Sequence, residues 1–578
     1  MSGQPLDKLL EQWKGKWQDA LDCWSRFTRL SEPLWCLTEK EERSEQLTGS
    51  FAMIRLNDHA VVISIRQVRD LKLEKFATEV LAHEIGHHLL APADLRDNAR
   101  LMARIRAGLP TCEQHAPMVS NLYTDLLIND RLKRESELEM EGVYKALKQD
   151  KSSDIWILYM RIYEILWGLP RKSLTSGVTE KIEFDAGLGS RVIRVYSKNW
   201  LAGAGRFAAL LLPYLLELPK SGSIMVSLPP WMDAAEVGQG DEIPDGMVGI
   251  EDEEVDGAIH PSEDPAITGL GQDEDSDKPG ESGAAEKRGG KKNRYREPDA
   301  YKELMKSLGV KVTEKELVIR YYRELAIPHL IRFPQRISPK STDPQPEGVD
   351  TWESGMPLHE LDWSESLVRS PLVIPGVTTV KRLVGESPGS SPQRLPLDLY
   401  IGIDCSGSMG NPAYSLSYPI LAATVITLSA LRTGAKVMAC LSGEPGTYTQ
   451  TDGFLRDEKK ILGTLTDYLG TGYSFGIQRL KDTILDGPKL PRPTHLLVVT
   501  DSDIFYMLGE LKDGWQIAEQ AAVKAAGGAT FVLQLERKYY SEQIARMESI
   551  GWNVHTVRTQ EDLVKFAAAF AKAKYGDK

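Results

Sequence analysis

Two short runs in this 578-residue chain carry side chains whose types and spacing suit metal chemistry. The first is His83-Glu84-Ile85-Gly86-His87, an H-E-x-x-H sequence. Two histidines four residues apart on a helix project from one face and can grip a single zinc ion. Glu84 then lies beside that face, where it can take a proton from a water on the metal. Phe76, Val80, His83 and His87 follow the spacing of one helical stripe, so the histidines are expected on a buried side of the helix. The pattern stops at Pro92, and Asp94 is placed to cap the helix that follows.

A catalytic zinc needs a third protein ligand and one open position. The long spacing that puts a third histidine six residues after the second falls on Ala93, so that arrangement is excluded. Downstream, in SNLYTDLLINDRL, Asp125 shares a helical face with Asn121, Leu122, Ile128, Asn129 and Leu132. A carboxylate on so apolar a stripe is costly to bury unless it is paired or bound to metal. Asp125 is therefore the expected third zinc ligand, with Asp94 and Asp130 as alternatives. A neighbouring donor to steady the reaction is also expected, and His115 and Tyr123 are the nearby choices. The chemistry such a set supports is hydrolysis, with Glu84 as general base.

The second run is Asp404-Cys405-Ser406-Gly407-Ser408, at the end of the apolar stretch LDLYIGI. A carboxylate and two hydroxyls on one tight turn offer hard oxygen ligands, which suit Mg²⁺ or Mn²⁺ and suit zinc poorly. Open parallel sheets bind ligands beyond the carboxyl ends of their strands, which is where this turn falls.

The elements that must position these residues divide the chain. Its length exceeds what one hydrophobic core supports. Residues 1–235 read as mainly helical, apart from a short hairpin made by FAMIRL and AVVISI just before the histidine helix. Residues 236–296 are dominated by Asp, Glu, Gly, Ser and Pro and are expected to be a disordered acidic linker. Sixteen acidic residues against Lys278 between Glu236 and Glu281 account for the whole net charge of -12, so no general attraction to nucleic acid or membrane follows from charge. The segment ends in a basic run, Lys287 to Arg296, read as a solvated linker end. Residues 297–394 form a connecting region with one expected helix around Glu314 to Leu325 and no assignable chemistry. From 395 to 578, apolar strands alternate with helices: 397–403, 435–441, 494–500, 529–535 and 552–557 read as strands, followed by a last helix over 561–575. That alternation predicts a mostly parallel sheet covered on both faces.

Five widely spaced cysteines form neither a disulfide framework nor a thiolate site. No secretory leader is visible, and the most apolar stretch, Trp200 to Leu218, is broken by Arg206 and Pro213. A cytoplasmic protein is expected. No G-x-x-x-x-G-K-[ST] is present to bind a nucleotide.

The D-x-S-x-S turn on its strand resembles the metal-ion-dependent adhesion site of von Willebrand factor A domains, and the resemblance covers 395–578. It implies a Rossmann-like α/β domain with a magnesium site. In that family a threonine from a second loop and an aspartate after a later strand complete the coordination. On this chain they fall on Ser474, with Thr471 as the alternative, and on Asp501, which follows THLLVVT directly. One coordination position in the family is left for a partner's carboxylate, so the site implies docking and not catalysis. The histidine helix with its D-x-x-I-N run resembles gluzincin-type, zincin-like metallopeptidase regions found beside such domains. Together the two ends resemble proteins encoded next to AAA+ ATPases of the MoxR type. That resemblance implies an ATPase partner, a protein or peptide substrate, and a setting in bacterial stress response or phage defence. A non-catalytic adaptor, or a chaperone that inserts a metal cofactor, is the alternative.

Overall fold

A computed structural model describes residues 5–47, 50–147, 153–218, 243–269, 294–338, 342–388, 393–443, 446–472, 475–510 and 513–572. The chain forms two compact units, 1–324 and 325–578. Among the described residues no helix is long and apolar enough to cross a membrane; the apolar stretch after Asn199 is the helix Trp200–Leu216.

The first unit is helical, with one small sheet. Strand β1 (Leu34–Cys36) runs parallel to β3 (Val61–Ser64), and β2 (Ala52–Ile54) pairs antiparallel with β3 on its other side. The expected hairpin is thus present, and LWC adds a strand too short to show a period. Every residue of β2 and β3 is buried, as befits strands under helices. The histidine helix, α1 (Ala77–Leu89), packs against β2 and against α2 (Ala116–Glu135). Helix α2 is buried almost all round between Met118 and Asp130, so it runs through the middle of the unit and does not present a single stripe to it. Around α2 lie α3 (Met140–Ala146), α4 (Asp154–Leu166), α5 (Glu180–Val195) and α6 (Trp200–Leu216).

The acidic segment departs from expectation. Residues 236–242 and 270–293 of the expected linker lie outside the described residues, but 243–269 are ordered on the helical unit. Short turns at Asp252–Asp256, Pro261–Glu263 and Pro265–Thr268 follow a strand pair, Gly249–Ile250 with Arg294–Tyr295. Met247, Val248 and Ile267 are buried, which is little apolar cover for so many charges. The carboxylates make up the difference by meeting arginines. Glu251 binds Arg100 at 3.1 Å and also Arg104, Asp264 binds Arg206 and the Tyr196 hydroxyl, and Glu254 grips Arg296 through two bonds of 2.5 Å. Composition alone does not show this pairing, because an acid bound by a distant arginine looks the same in sequence as a solvated one. Arg296, at the end of the basic run, is likewise an internal partner and not a solvated linker end. The helices Pro298–Ser307 and Glu314–Ala326, assigned to the connecting region, lie in or at the edge of the first unit.

The second unit contains a six-stranded sheet. Its strands, numbered on from the first sheet, are β4 (Asp398–Asp404), β5 (Val437–Ser442), β6 (Tyr448–Gln450), β7 (Thr494–Thr500), β8 (Ala526–Leu533) and β9 (Trp552–Thr556). They are ordered β6-β5-β4-β7-β8-β9, all parallel except the edge strand β6, which was not expected. Strands β4, β5 and β7 are buried on both faces, which explains their unbroken apolar sequences. The last helix is Gln560–Lys572. The connecting region contributes a long hairpin, Thr342–Thr351 with Val380–Pro388.

Arg296 and Glu254 are each less than a tenth exposed. Glu254→Gln would leave a buried guanidinium without its counter-charge, so the first unit should lose about 3–5 kcal/mol in urea unfolding. A loss below about 1 kcal/mol would mean that the acidic segment is not fastened there.

Candidate metal centres

The turn Ala91-Pro92-Ala93-Asp94 ends α1 sharply, and the next helix starts with Asp94 capping the Asp97 amide at 2.8 Å. Asp94 is therefore a cap. Asp130 is bound by Arg134 and Arg194, both at 2.9 Å, and is also taken up structurally. Asp125 is the carboxylate that meets the histidines. His83 Nε2 stands 3.7 Å and His87 Nε2 3.5 Å from Asp125 Oδ1, and the three ligand atoms lie within 4.8 Å of one another. All three residues are at most 2% exposed. Among the described residues this is the one group of three or more His, Cys, Asp or Glu close enough to share an ion.

The set fits zinc. Two ligands about 2.0 Å from a tetrahedral zinc stand about 3.3 Å apart, close to the spacings here and longer than a good N–H···O bond. His87 Nδ1 donates to the Ala91 carbonyl at 3.1 Å, which leaves its Nε2 lone pair turned toward Asp125 with no hydrogen bond to it. Burial, and then the neighbouring His83, push the His87 pKa down to about 3, so that nitrogen is a neutral ligand. The two imidazoles meet edge to face, with ring centres 4.9 Å apart.

Asn129, one turn beyond Asp125, accepts from His83 Nδ1 at 2.7 Å, and Asn121 donates to Asp125 Oδ2 at 3.2 Å. Behind Asn129 the hydroxyls of Tyr144, Tyr159 and Tyr163 form a buried cluster with separations of 2.9–3.4 Å. Burial raises all three phenols, followed by the neighbouring phenols for Tyr144 and Tyr159 and by the charge of Asp125 for Tyr163, so they remain protonated. Of the expected helper residues, Tyr123 donates instead to the Trp200 carbonyl, at 2.6 Å, and His115 lies before the first residue of α2, ten positions from Asp125. Sequence pointed to Asn129 as a face-mate of Asp125. The i,i+4 pair Tyr159 and Tyr163 carried no sign that it would meet that face.

Glu84 is 1% exposed and shares with His83 a small cavity of about 10 Å³ that is also lined by Phe51, Glu79, Val80, Met140 and Val143. Such a space is about enough for one water. Close contact also holds α1 against α2. A Cβ on Gly86 would come within 2.5 Å of the Ile128 side chain and 2.6 Å of the Trp24 ring, so only glycine lets α1 approach α2 this closely.

The second site lies in the other unit, beyond the end of β4. This strand has β5 on one side and β7 on the other, so its end is the point where strand order reverses. Asp404 Oδ1 accepts from the Ser406 amide at 2.7 Å, and its Oδ2 accepts from the Thr500 hydroxyl at 2.6 Å. The Ser406 and Ser408 hydroxyls are 2.9 Å apart, and Ser408 donates to Asp501. Asp404, Ser406, Ser408 and Asp501 thus gather as expected. Ser474 lies outside the described residues. Thr471 pairs with the D-x-S-x-S turn through backbone bonds, its amide to the Cys405 carbonyl and its carbonyl from the Gly407 amide, both 3.1 Å. Burial, reinforced by Asp501, raises the Asp404 pKa to about 6 against the pull of its hydrogen bonds. Two carboxylates and two hydroxyls so arranged are a donor set for a hard divalent cation.

No protein-family model matches this chain, and no curated protein matches it.

Gly86→Ala tests whether helix contact sets the zinc geometry. Overpacking should cost about 1–3 kcal/mol in denaturant unfolding and weaken zinc binding together with it. Unchanged stability would show that α1 and α2 are not in contact at Gly86.

Proposed function

We propose that this chain is a zinc-dependent peptidase whose second unit, a von Willebrand factor A-type domain, docks a partner through a divalent cation. The observation that carries the reading is the convergence of His83, His87 and Asp125 within 4.8 Å, with Glu84 next to His83, the two of them lining one small cavity. When bound, zinc would supply a Lewis acid that polarises a carbonyl and makes water acidic near neutral pH. The chain's own residues would do the rest. His83, His87 and Asp125 would hold the ion, Asn121 would orient the carboxylate, and Glu84 would take a proton from water and return it to the leaving amine. By its resemblance the partner is a AAA+ ATPase of the MoxR type, which would supply the nucleotide step this chain has no P-loop to perform. Stress response or phage defence is the setting that resemblance carries.

A second reading has its own support. Glu84 is almost wholly buried and its cavity holds about one water, which favours a zinc that stabilises the first unit of a non-catalytic adaptor or a cofactor-insertion chaperone. Elemental mass spectrometry of the purified chain should find about one zinc, absent from His83→Ala. Glu84→Gln should keep the zinc and lose roughly 10²–10⁴-fold in peptide hydrolysis. Zinc retained with hydrolysis unchanged would overturn the mechanism, and absence of zinc from the native chain would overturn both readings of this site.

The cation site has a separate test. Mg²⁺ should raise the unfolding temperature of the native chain and leave that of Asp404→Ala unmoved. An equal Mg²⁺ response in both would remove Asp404 from the site.

A further inference from the structure

Asn129 is wholly buried in the middle of α2, where a side-chain amide has no access to water and every polar atom must find a partner within the protein. It finds three. Its Nδ2 donates to the Tyr144 hydroxyl at 2.8 Å and to the Tyr163 hydroxyl at 2.9 Å, and its Oδ1 faces His83 Nδ1 at 2.7 Å. With both amide hydrogens given to phenols, the oxygen has one remaining direction, toward the imidazole. The phenols are themselves held: Tyr163 lies 2.9 Å from Tyr144 and 3.0 Å from Tyr159, and Tyr159 and Tyr163 are one turn apart on α4. Three helices therefore meet at one amide. Helix α2 carries it, while α3, through Tyr144, and α4, through Tyr163, fix which way it points.

We propose that Asn129 is the positioning residue of the metal centre: held by Tyr144 and Tyr163, it fixes the His83 tautomer and ring so that Nε2 faces the ion. The inference rests on the reading of His83, His87 and Asp125 as a zinc site and adds a residue that touches neither ion nor substrate. A ligating histidine needs its second nitrogen held by a hydrogen bond, and loss of that bond typically weakens metal binding by about 10–100-fold. His87 has the Ala91 carbonyl for this purpose, a backbone group fixed by the turn that ends α1. For His83 the task falls to a side chain whose own orientation depends on two hydroxyls from other helices.

The test compares zinc affinity, by competition with a chromophoric chelator, in the native chain and in Asn129→Leu, Asn129→Asp and Tyr163→Phe, together with the visible absorption of their Co²⁺ forms. Asn129→Leu removes the acceptor at similar size and should bind zinc about 10–100-fold more weakly, with an altered Co²⁺ spectrum. Asn129→Asp keeps an oxygen for His83 Nδ1 and should recover most of that affinity. Tyr163→Phe, the mildest change, removes one hold on the amide and should weaken zinc by a smaller factor in a folded protein. Native-like zinc affinity in folded Asn129→Leu, or in Tyr163→Phe should the leucine variant not fold, would overturn the proposal while leaving the zinc site in place. A native chain that binds no zinc would overturn the proposal and the site together. Equal losses in Asn129→Leu and Asn129→Asp would mark Asn129 as a packing residue only and would also overturn it.

Discussion

Two imidazole nitrogens and a carboxylate oxygen lie within 4.8 Å of one another where all three residues are buried, and donors so close must be reconciled by a shared proton or by a cation. The first unit is organised around that constraint. A carboxylate as buried as Asp125 costs several kcal/mol unless something positive meets it. Around it stand His83 and His87, at 3.7 and 3.5 Å, Asn121 on its second oxygen, and a cluster of buried tyrosines. Two other buried acids of the same unit are met by arginine, Asp130 by Arg134 and Arg194, and Glu254 by Arg296. Asp125 has imidazoles and an amide for company instead, the neighbours of a carboxylate that could share an ion with His83 and His87.

The second unit gathers acceptors by other means. There the ligands come from turns at strand ends, and a topological reversal of the sheet brings β4 and β7 side by side so that Asp404 and Asp501 converge. Backbone pairing of Thr471 with the first turn adds a third loop. Ser408 and Gly407 are exposed while Asp404 is not, which gives the site a buried anchor and an outer rim. An oxygen-only set with an open rim suits a hard ion that a second molecule can also touch. A nitrogen-rich set sealed under helices suits zinc and restricts what reaches it.

Much of this was legible in the sequence because it follows from local periods. H-E-x-x-H fixes two ligands by helical geometry, and D-x-S-x-S at a strand end fixes three by the geometry of one turn. Strands β4, β5 and β7 could be read from their apolar runs, since strands buried on both faces have few polar positions to interrupt them, and β9 from a shorter run with exposed positions. What escaped depended on distance along the chain. Nothing near Glu251, Glu254 or Asp264 shows that Arg100, Arg104, Arg206 and Arg296 will be their partners, so an ordered segment read as a disordered one. The edge strand β6 is three residues long and half exposed, too short for a period. Asn129 was visible as a neighbour of Asp125, but its meaning lies in Tyr144 and Tyr163, which α3 and α4 bring to it.

That same arrangement ties access to ligand geometry. Of the residues that close the cavity beside Glu84, Glu79 and Val80 belong to α1, and they cannot withdraw without carrying His83 and His87 with them. Phe51 leads directly into β2, which is bonded along its length to β3. Met140 and Val143 are on α3, a helix of seven residues that carries none of the three ligands. Yet α3 also carries Tyr144, one of the two hydroxyls that hold the Asn129 amide toward His83. In the peptidase reading, any motion of α3 wide enough to admit a peptide would pull on the residue that orients a zinc ligand, so opening the site and tuning the metal become one event. In the adaptor reading the same linkage keeps α3 shut for as long as the ion is bound. Either way the cover over Glu84 and the hold on the Asn129 amide share one short helix, so a peptidase and an adaptor built on this centre would differ in whether α3 parts from α1.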